Sequence, residues 1–149
     1  MSVRIVEVKS SADLDRFIRL PWKIYKDYPN WVPPLVSERK KFLNPQINPF
    51  FDQAEVKLLI AEDNQGIPLG RIALVQDHIY QENYSKTTGI FGMFETVDDK
   101  IVSRLLFDEA KSWCEEKGFD KLIGPMNLSI NHECGLMIEG FDLPPMLGI

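Results

Sequence analysis

TGIFGMFETVDDKIVSRLLFDEAKSWCEEKGFDKLI, residues 88–123, holds a strand, a long helix and a second strand in succession. Its first eight residues, Thr88 to Glu95, read as a strand, and Gly89 and Gly92 within it suggest a bulge or a close backbone approach. Ile101, Val102, Leu105, Leu106, Ala110 and Trp113 then recur at helical spacing, which predicts one amphipathic helix from about Asp98 to Lys117. Thr96 and Asp99 have capping-box spacing at its start, and Gly118 is placed to stop it. Phe119 to Ile123 re-enters as a strand. A long helix between two strands excludes a hairpin and predicts a parallel crossover.

Ahead of that unit, Glu55 to Glu62 and Pro68 to Gln76 are strands joined by the turn Asp63-Asn64-Gln65-Gly66. A turn region from Gln81 to Thr87 leads to the strand at Thr88, so residues 56–62, 68–76 and 88–95 form an antiparallel meander. Residues 121–125 should lie parallel to its last strand. Val3, Ile5, Val6 and Val8 give a first strand. Ser10-Ser11 and Asp13 can start a helix bearing Leu14, Phe17, Ile18, Trp22 and Tyr25 on one face, with Pro21 starting, kinking or ending a segment. Residues 29–50 hold Pro29, Pro33, Pro34, Pro45 and Pro49 interleaved with Trp31, Val32, Leu35, Phe42 and Phe50. Such a stretch is an ordered wrap against the core with a short helix near Leu35 to Leu43, or a loop that covers a substrate. The fold class is α/β (α+β): a single domain over residues 1–149, with a mixed, mostly antiparallel sheet flanked by helices.

Composition narrows the function classes. Aromatic residues at 11% and a net charge of −5 describe a folded domain, not a disordered chain. The acidic balance argues against a nucleic-acid binder; the one dense basic cluster, Arg39-Lys40-Lys41, follows Glu38 and reads as a solvated helix face. Cys114 and Cys134 make no disulfide framework, and with only His78 and His132 no zinc-ligand spacing exists, so no metal is expected. The N-terminus reads as a strand and no signal peptide is seen, and no apolar run reaches the ~20 residues of a membrane span, so a cytoplasmic setting without membrane contact is expected.

The order of strand, helices, three-stranded meander, long helix and strand is that of the GNAT-type N-acetyltransferases. WVPPL (31–35), NPFF (48–51), PLGRIA (68–73), FGMFE (91–95), GPMNLSINHECGL (124–136) and GFDLPP (140–145) together resemble a bacterial family of GNAT-like proteins, over nearly the whole chain. The resemblance implies an acetyl group moved from acetyl-CoA to a small-molecule amine by direct attack. It implies that the pantetheine arm lies along Phe94, Glu95 and Thr96, with Glu95 as general base, and that Asn131 contacts the cofactor. Asn131, Cys134, Gly140 and Phe141 echo the helix that follows the fifth strand in that superfamily.

One departure stands out. GNAT enzymes seat the CoA diphosphate on a glycine-rich loop at the head of the long helix, where free N–H groups and the helix dipole favour an anion. Here Thr96-Val97-Asp98-Asp99-Lys100 holds no glycine. Two carboxylates so placed should repel a diphosphate by about 1 kcal/mol each at an effective dielectric near 20. A non-catalytic binding or partner module that has lost the loop is the alternative. The polar run from Asn127 to Gly135 supplies further candidates: Asn127, Ser129 and Glu133 toward a substrate, with local backbone bonding as the competing role of Asn127 and Ser129. His132 and Cys134 are two apart, which on a helix would separate them, so a Cys–His nucleophile is not expected. The closing Met146-Leu147-Gly148-Ile149 is apolar where a final hairpin would begin. The expectation is a sheet edge or apolar patch covered by a further portion of chain or by a homo-oligomeric partner.

Overall fold

A computed structural model describes residues 2–145; Met146 to Ile149, with the uncovered patch expected there, lie outside the described residues. The order is β1 (Val3–Glu7), α1 (Ser11–Ile24), α2 (Val36–Phe42), a 3-10 turn (Pro49–Asp52), β2 (Ala54–Asp63), β3 (Pro68–Asp77), α3 (His78–Asn83), β4 (Thr88–Thr96), α4 (Lys100–Lys117) and β5 (Lys121–Ile123). One sheet runs β1-β2-β3-β4-β5; β5 is parallel to β4, and the other pairs are antiparallel. The meander and the crossover are therefore as the sequence predicts.

Each helix end has a local cause. Ser10 Oγ accepts from Asp13 N at 3.1 Å and caps α1. Pro21 lies inside α1, in its last turn, and its carbonyl accepts from Tyr25 N at 2.8 Å. Asp99, not Thr96, caps α4: its carboxylate accepts from Ile101 N at 2.8 Å, while Thr96 is still in β4. Gly118 ends α4 at φ 75°, a left-handed geometry in which a side chain is strained. The turn expected over Gln81 to Thr87 is in its first part a helix. Asp77 caps α3 by accepting from Ile79 N and Tyr80 N, both at 3.1 Å. Six residues are too few to show a helical period in the sequence.

The sheet is covered on both faces. Phe17, Ile18, Leu43, Phe50, Ile60, Ala73, Val75, Ile90, Met93 and Leu128 pack one core, under α1 and the proline-rich stretch. Leu59, Ala61, Ile72 and Leu74 meet Val102, Leu106, Ala110, Trp113 and Cys114 of α4 on the other. The buried row of α4 is thus 102-106-110-113; Ile101, expected in the stripe, is largely exposed. Such double coverage explains why β3 is apolar along most of its length rather than alternating.

Candidate active site

β4 is longer than the strand beside it. β5 pairs it only over Thr88 to Ile90. Beyond that point the edge of β4 is met by residues 124–128: Met126 N donates to Phe91 O at 2.9 Å, and Met93 N donates to Asn127 Oδ1 at 2.7 Å. Gly92 makes this approach possible, since a Cβ there would lie 1.7 Å from the Met126 carbonyl oxygen. Met93 has φ 50°, and the β3–β4 register slips between Arg71 and Ala73, so β4 bulges here. Both features expected of the glycine-containing strand are present. From Phe94 to Thr96 no strand faces this edge among the described residues.

A cleft of about 570 Å³ opens over that edge. Arg71, Met93, Phe94 and Glu95 line it from the sheet, Tyr25, Tyr28 and Trp31 from the end of α1 and the loop after it, and Leu136, Met137, Phe141 and Leu143 from the chain after β5. Trp31 stacks on Tyr25 at 5.4 Å and meets Trp22 edge-on at 5.3 Å. The proline-rich stretch thus divides: Leu43 and Phe50 are core, whereas Asn30, Trp31 and Val32 line the cleft.

Three polar side chains meet at its inner end. Arg71 and Glu95 are cross-strand partners in the β3–β4 register, which places their side chains on one face. Tyr25 Oη donates to Glu95 Oε2 at 2.6 Å. Arg71 is 7% exposed. Its Nε donates to Met93 O at 3.0 Å, its Nη1 to Phe17 O at 2.7 Å, and its guanidinium lies 4.9 Å from the Phe17 ring centre. Burial lowers the Arg71 pKa to about 10, still well above neutrality. Burial raises Glu95 above its ordinary 4.5, opposed by the Tyr25 hydrogen bond and the Arg71 charge. Burial and the neighbouring Glu95 raise Tyr25, which stays a neutral donor. A carboxylate raised by burial and held in a cleft is suited to act as a proton acceptor.

A second hollow, of about 580 Å³, lies at the head of α4. Asp98 and Asp99 line it, but so do Lys23, Lys26 and Lys100. The seat expected to be acidic and anion-repelling is therefore of mixed charge: three lysines and two aspartates line it, with Lys23 Nζ donating to Pro68 O at 3.0 Å and the Asp99 carboxylate engaged in capping.

Of the residues singled out from the sequence, Phe94, Glu95 and Asn127 line the cleft and Thr96 lines the hollow. Ser129, Asn131 and Glu133 line neither. Ser129 Oγ is 2.9 Å from His132 Nδ1, and Glu133 Oε2 accepts from Asn127 Nδ2 at 3.0 Å. Asn127 bonds the distant backbone of Met93 rather than local backbone. Residues 124–145 carry neither a helix nor a regular strand, so the helix echoed by Asn131 to Phe141 is not formed. Tyr25 and Arg71 do not stand out in the sequence as site residues. An arginine within the apolar run PLGRIALV was the available signal; Tyr25 reads only as a member of an apolar helix face. No cluster of three or more metal-ligating side chains occurs among the described residues, and no helix among them is long and apolar enough to cross a membrane.

The fold is that of the GNAT acetyltransferases. A GNAT-family acetyltransferase from Staphylococcus aureus Mu50 superposes with a TM-score of 0.56 over 85% of this chain and 74% of that one, at 14% identity. AAC(6')-Iy, solved with the bisubstrate analogue CoA-S-monomethyl-acetylneamine, superposes with a TM-score of 0.58 over 88% and 84%, at 10% identity. In sequence the chain is 43% identical over 144 residues to a bacterial ceramide synthase of Caulobacter vibrioides, covering 96% of this chain and 37% of that protein. It is 43% identical over 133 residues to the protein YghO of Escherichia coli K12, covering 89% and 34%. The chain thus spans little more than a third of the length of these curated relatives. No protein-family model matches it.

Proposed function

We propose that this chain carries the acyl-transfer site of an N-acyltransferase, which moves an acyl group from a CoA thioester to an amine. The observation that carries this reading is the Tyr25–Glu95–Arg71 group at the inner end of an apolar cleft, beside an unpaired stretch of β4. A CoA thioester, acetyl-CoA being the smallest of use here, fits these residues. The open edge from Phe94 to Thr96 offers backbone groups to the amides of a pantetheine arm, and Lys23, Lys26 and Lys100 offer charge to a diphosphate without a glycine loop. The thioester supplies an activated carbonyl when bound. Glu95 takes the proton from the attacking amine, Tyr25 orients its carboxylate, and the aromatic and aliphatic walls exclude water.

The likeness to a ceramide synthase points to the acceptor and the acyl group together. A ceramide is the amide of a fatty acid with a long-chain amino alcohol, so the reaction class is acyl transfer to nitrogen on apolar substrates. The walls of Trp31, Leu136, Met137, Phe141 and Leu143 suit aliphatic chains better than a small polar amine. A second reading, a binding module without catalysis, is favoured by the missing glycine loop. Calorimetric titration with acetyl-CoA and octanoyl-CoA separates the two readings at the first step. Binding of both, tighter for octanoyl-CoA, is expected; no heat with either at millimolar concentration would leave only the binding module.

A further inference from the structure

Arg71 is a charged residue within an apolar strand, and its environment is incomplete. Two guanidinium nitrogens are committed to carbonyls of α1 and β4, and a ring of α1 stacks on it. It makes no ion pair among the described residues, although Glu95 is its cross-strand partner. Nη2 has no hydrogen-bond partner among the described residues, and Arg71 lines the cleft. Glu95 is the opposing charge nearest in the register, but its carboxylate accepts from Tyr25, which leaves Nη2 to donate to a group in the cleft.

Several of the other donors near it are engaged. Tyr25 Oη is on Glu95, Asn127 Nδ2 is on Glu133, and Asn30 Nδ2 donates to Asp142 O at 2.7 Å. The bulged amide of Met93, the backbone donor at the turn of β4, is on Asn127 Oδ1. Arg71 is the one cation among the described residues lining the cleft.

We infer that Arg71 is a catalytic residue, whose Nη2 donates to the acyl carbonyl oxygen and stabilises the oxyanion of the tetrahedral intermediate. The inference rests on the acyltransferase reading. As the amine nitrogen bonds to the carbonyl carbon, the carbonyl π pair moves to oxygen, where Nη2 meets it. The amine proton passes to the Glu95 carboxylate. The carbonyl then re-forms, the C–S bond breaks with its electron pair on sulfur, and the thiolate takes that proton. Thioester and amine become amide and thiol. Because three carbonyl and ring contacts fix the guanidinium beforehand, the donor needs no reorganisation as charge develops. Its placement opposite Glu95 sets the base and the oxyanion donor side by side over one reacting carbon.

The test reads the carbonyl itself. Octanoyl-CoA labelled with 13C at the carbonyl is bound to the wild-type chain without amine, and the infrared carbonyl band is compared with that of free octanoyl-CoA. A downshifted band is expected, and it should return to the free position in Arg71→Met with calorimetric affinity changed less than about fivefold. Single-turnover amide formation should fall about 10²–10³-fold, the range for loss of one oxyanion donor. If Arg71→Met does not fold, Arg71→Lys gives the same reading, since one ammonium cannot hold the Phe17 and Met93 carbonyls and also reach the cleft. A band unshifted in the wild type, or equally shifted in a folded Arg71 variant, overturns the assignment while acyl-CoA binding stands. Absence of octanoyl-CoA binding to the wild type overturns the acyltransferase reading and this inference with it.

Discussion

Glu95 and Arg71 stand opposite each other on neighbouring strands, yet only one of them is legible in the sequence. Glu95 ends a strand before a long helix, and its place at the open edge follows from the crossover. Arg71 is hidden because β3 is buried on both faces, so no alternation marks which of its residues turns toward a cleft. Asn131 and Glu133 were singled out as part of a polar run, but that run closes on itself through Asn127, Ser129 and His132. Two residue-scale outcomes follow from the proposed roles. Glu95→Gln should lower kcat by about 10²–10⁴ and remove the acidic limb of the pH–rate profile. With a base raised above 4.5 by burial, wild-type activity should rise with pH through a midpoint above that value. Tyr25→Phe removes a hydrogen bond that lowers the Glu95 pKa, so the same limb should move to higher pH. A limb that moves downward, measured by stopped-flow thiol release across pH, contradicts the assigned pair.

At the scale of elements, β4 and the chain that follows β5 are fitted through one glycine. Gly92→Ala would drive a methyl group into the Met126 carbonyl, and backbone cannot yield as a flexible side chain can. The variant should lose about 1–3 kcal/mol, as for overpacked cores, read by chemical denaturation. Octanoyl-CoA affinity should fall with it, since Asn127 would leave Met93. Unchanged stability would mean that 124–128 is not held against β4. At the α4 head the sequence displays Asp98 and Asp99 beside Lys100, but only the packing of α1 brings Lys23 and Lys26 to the same place. Lys26→Ala should weaken acyl-CoA binding several-fold, and raising salt from 50 to 500 mM should weaken the wild type more than the variant. Equal salt dependence in both would remove Lys26 from the diphosphate site.

The molecule as a whole is a sheet covered on two faces, and its topology is the part most readable from sequence. Periodicities of two and 3.6 residues, the turn at Asp63 to Gly66 and the Gly118 stop are local signals that agree with the fold. What is not local escapes: the cleft needs residues from α1, β3, β4 and the chain after β5 at once. The same holds for Glu62, 3% exposed, which pairs with Arg16 of α1 and with Arg4 of β1, the latter at 2.6 Å. Burial alone would raise Glu62, but the Arg16 and Arg4 hydrogen bonds outweigh it and hold the carboxyl below 4.5. Its stabilising contribution is therefore full above the ordinary carboxylate range and is lost as pH falls through the depressed folded value. Glu62→Gln should cost about 3 kcal/mol at pH 7, the low end for breaking a buried pair because both arginines keep some water contact. The difference from wild type should shrink below pH 4 in urea titrations; a constant difference would contradict the ion-pair account.

Acyl transfer to nitrogen is read from its product. The chain is incubated with 13C-labelled octanoyl-CoA and a long-chain amino alcohol, and amide and free CoA are quantified together by mass spectrometry. Labelled N-octanoyl amide and free thiol are expected in equal amounts, both suppressed by Glu95→Gln. Thiol released without amide, or neither product at substrate concentrations that saturate binding, would contradict it.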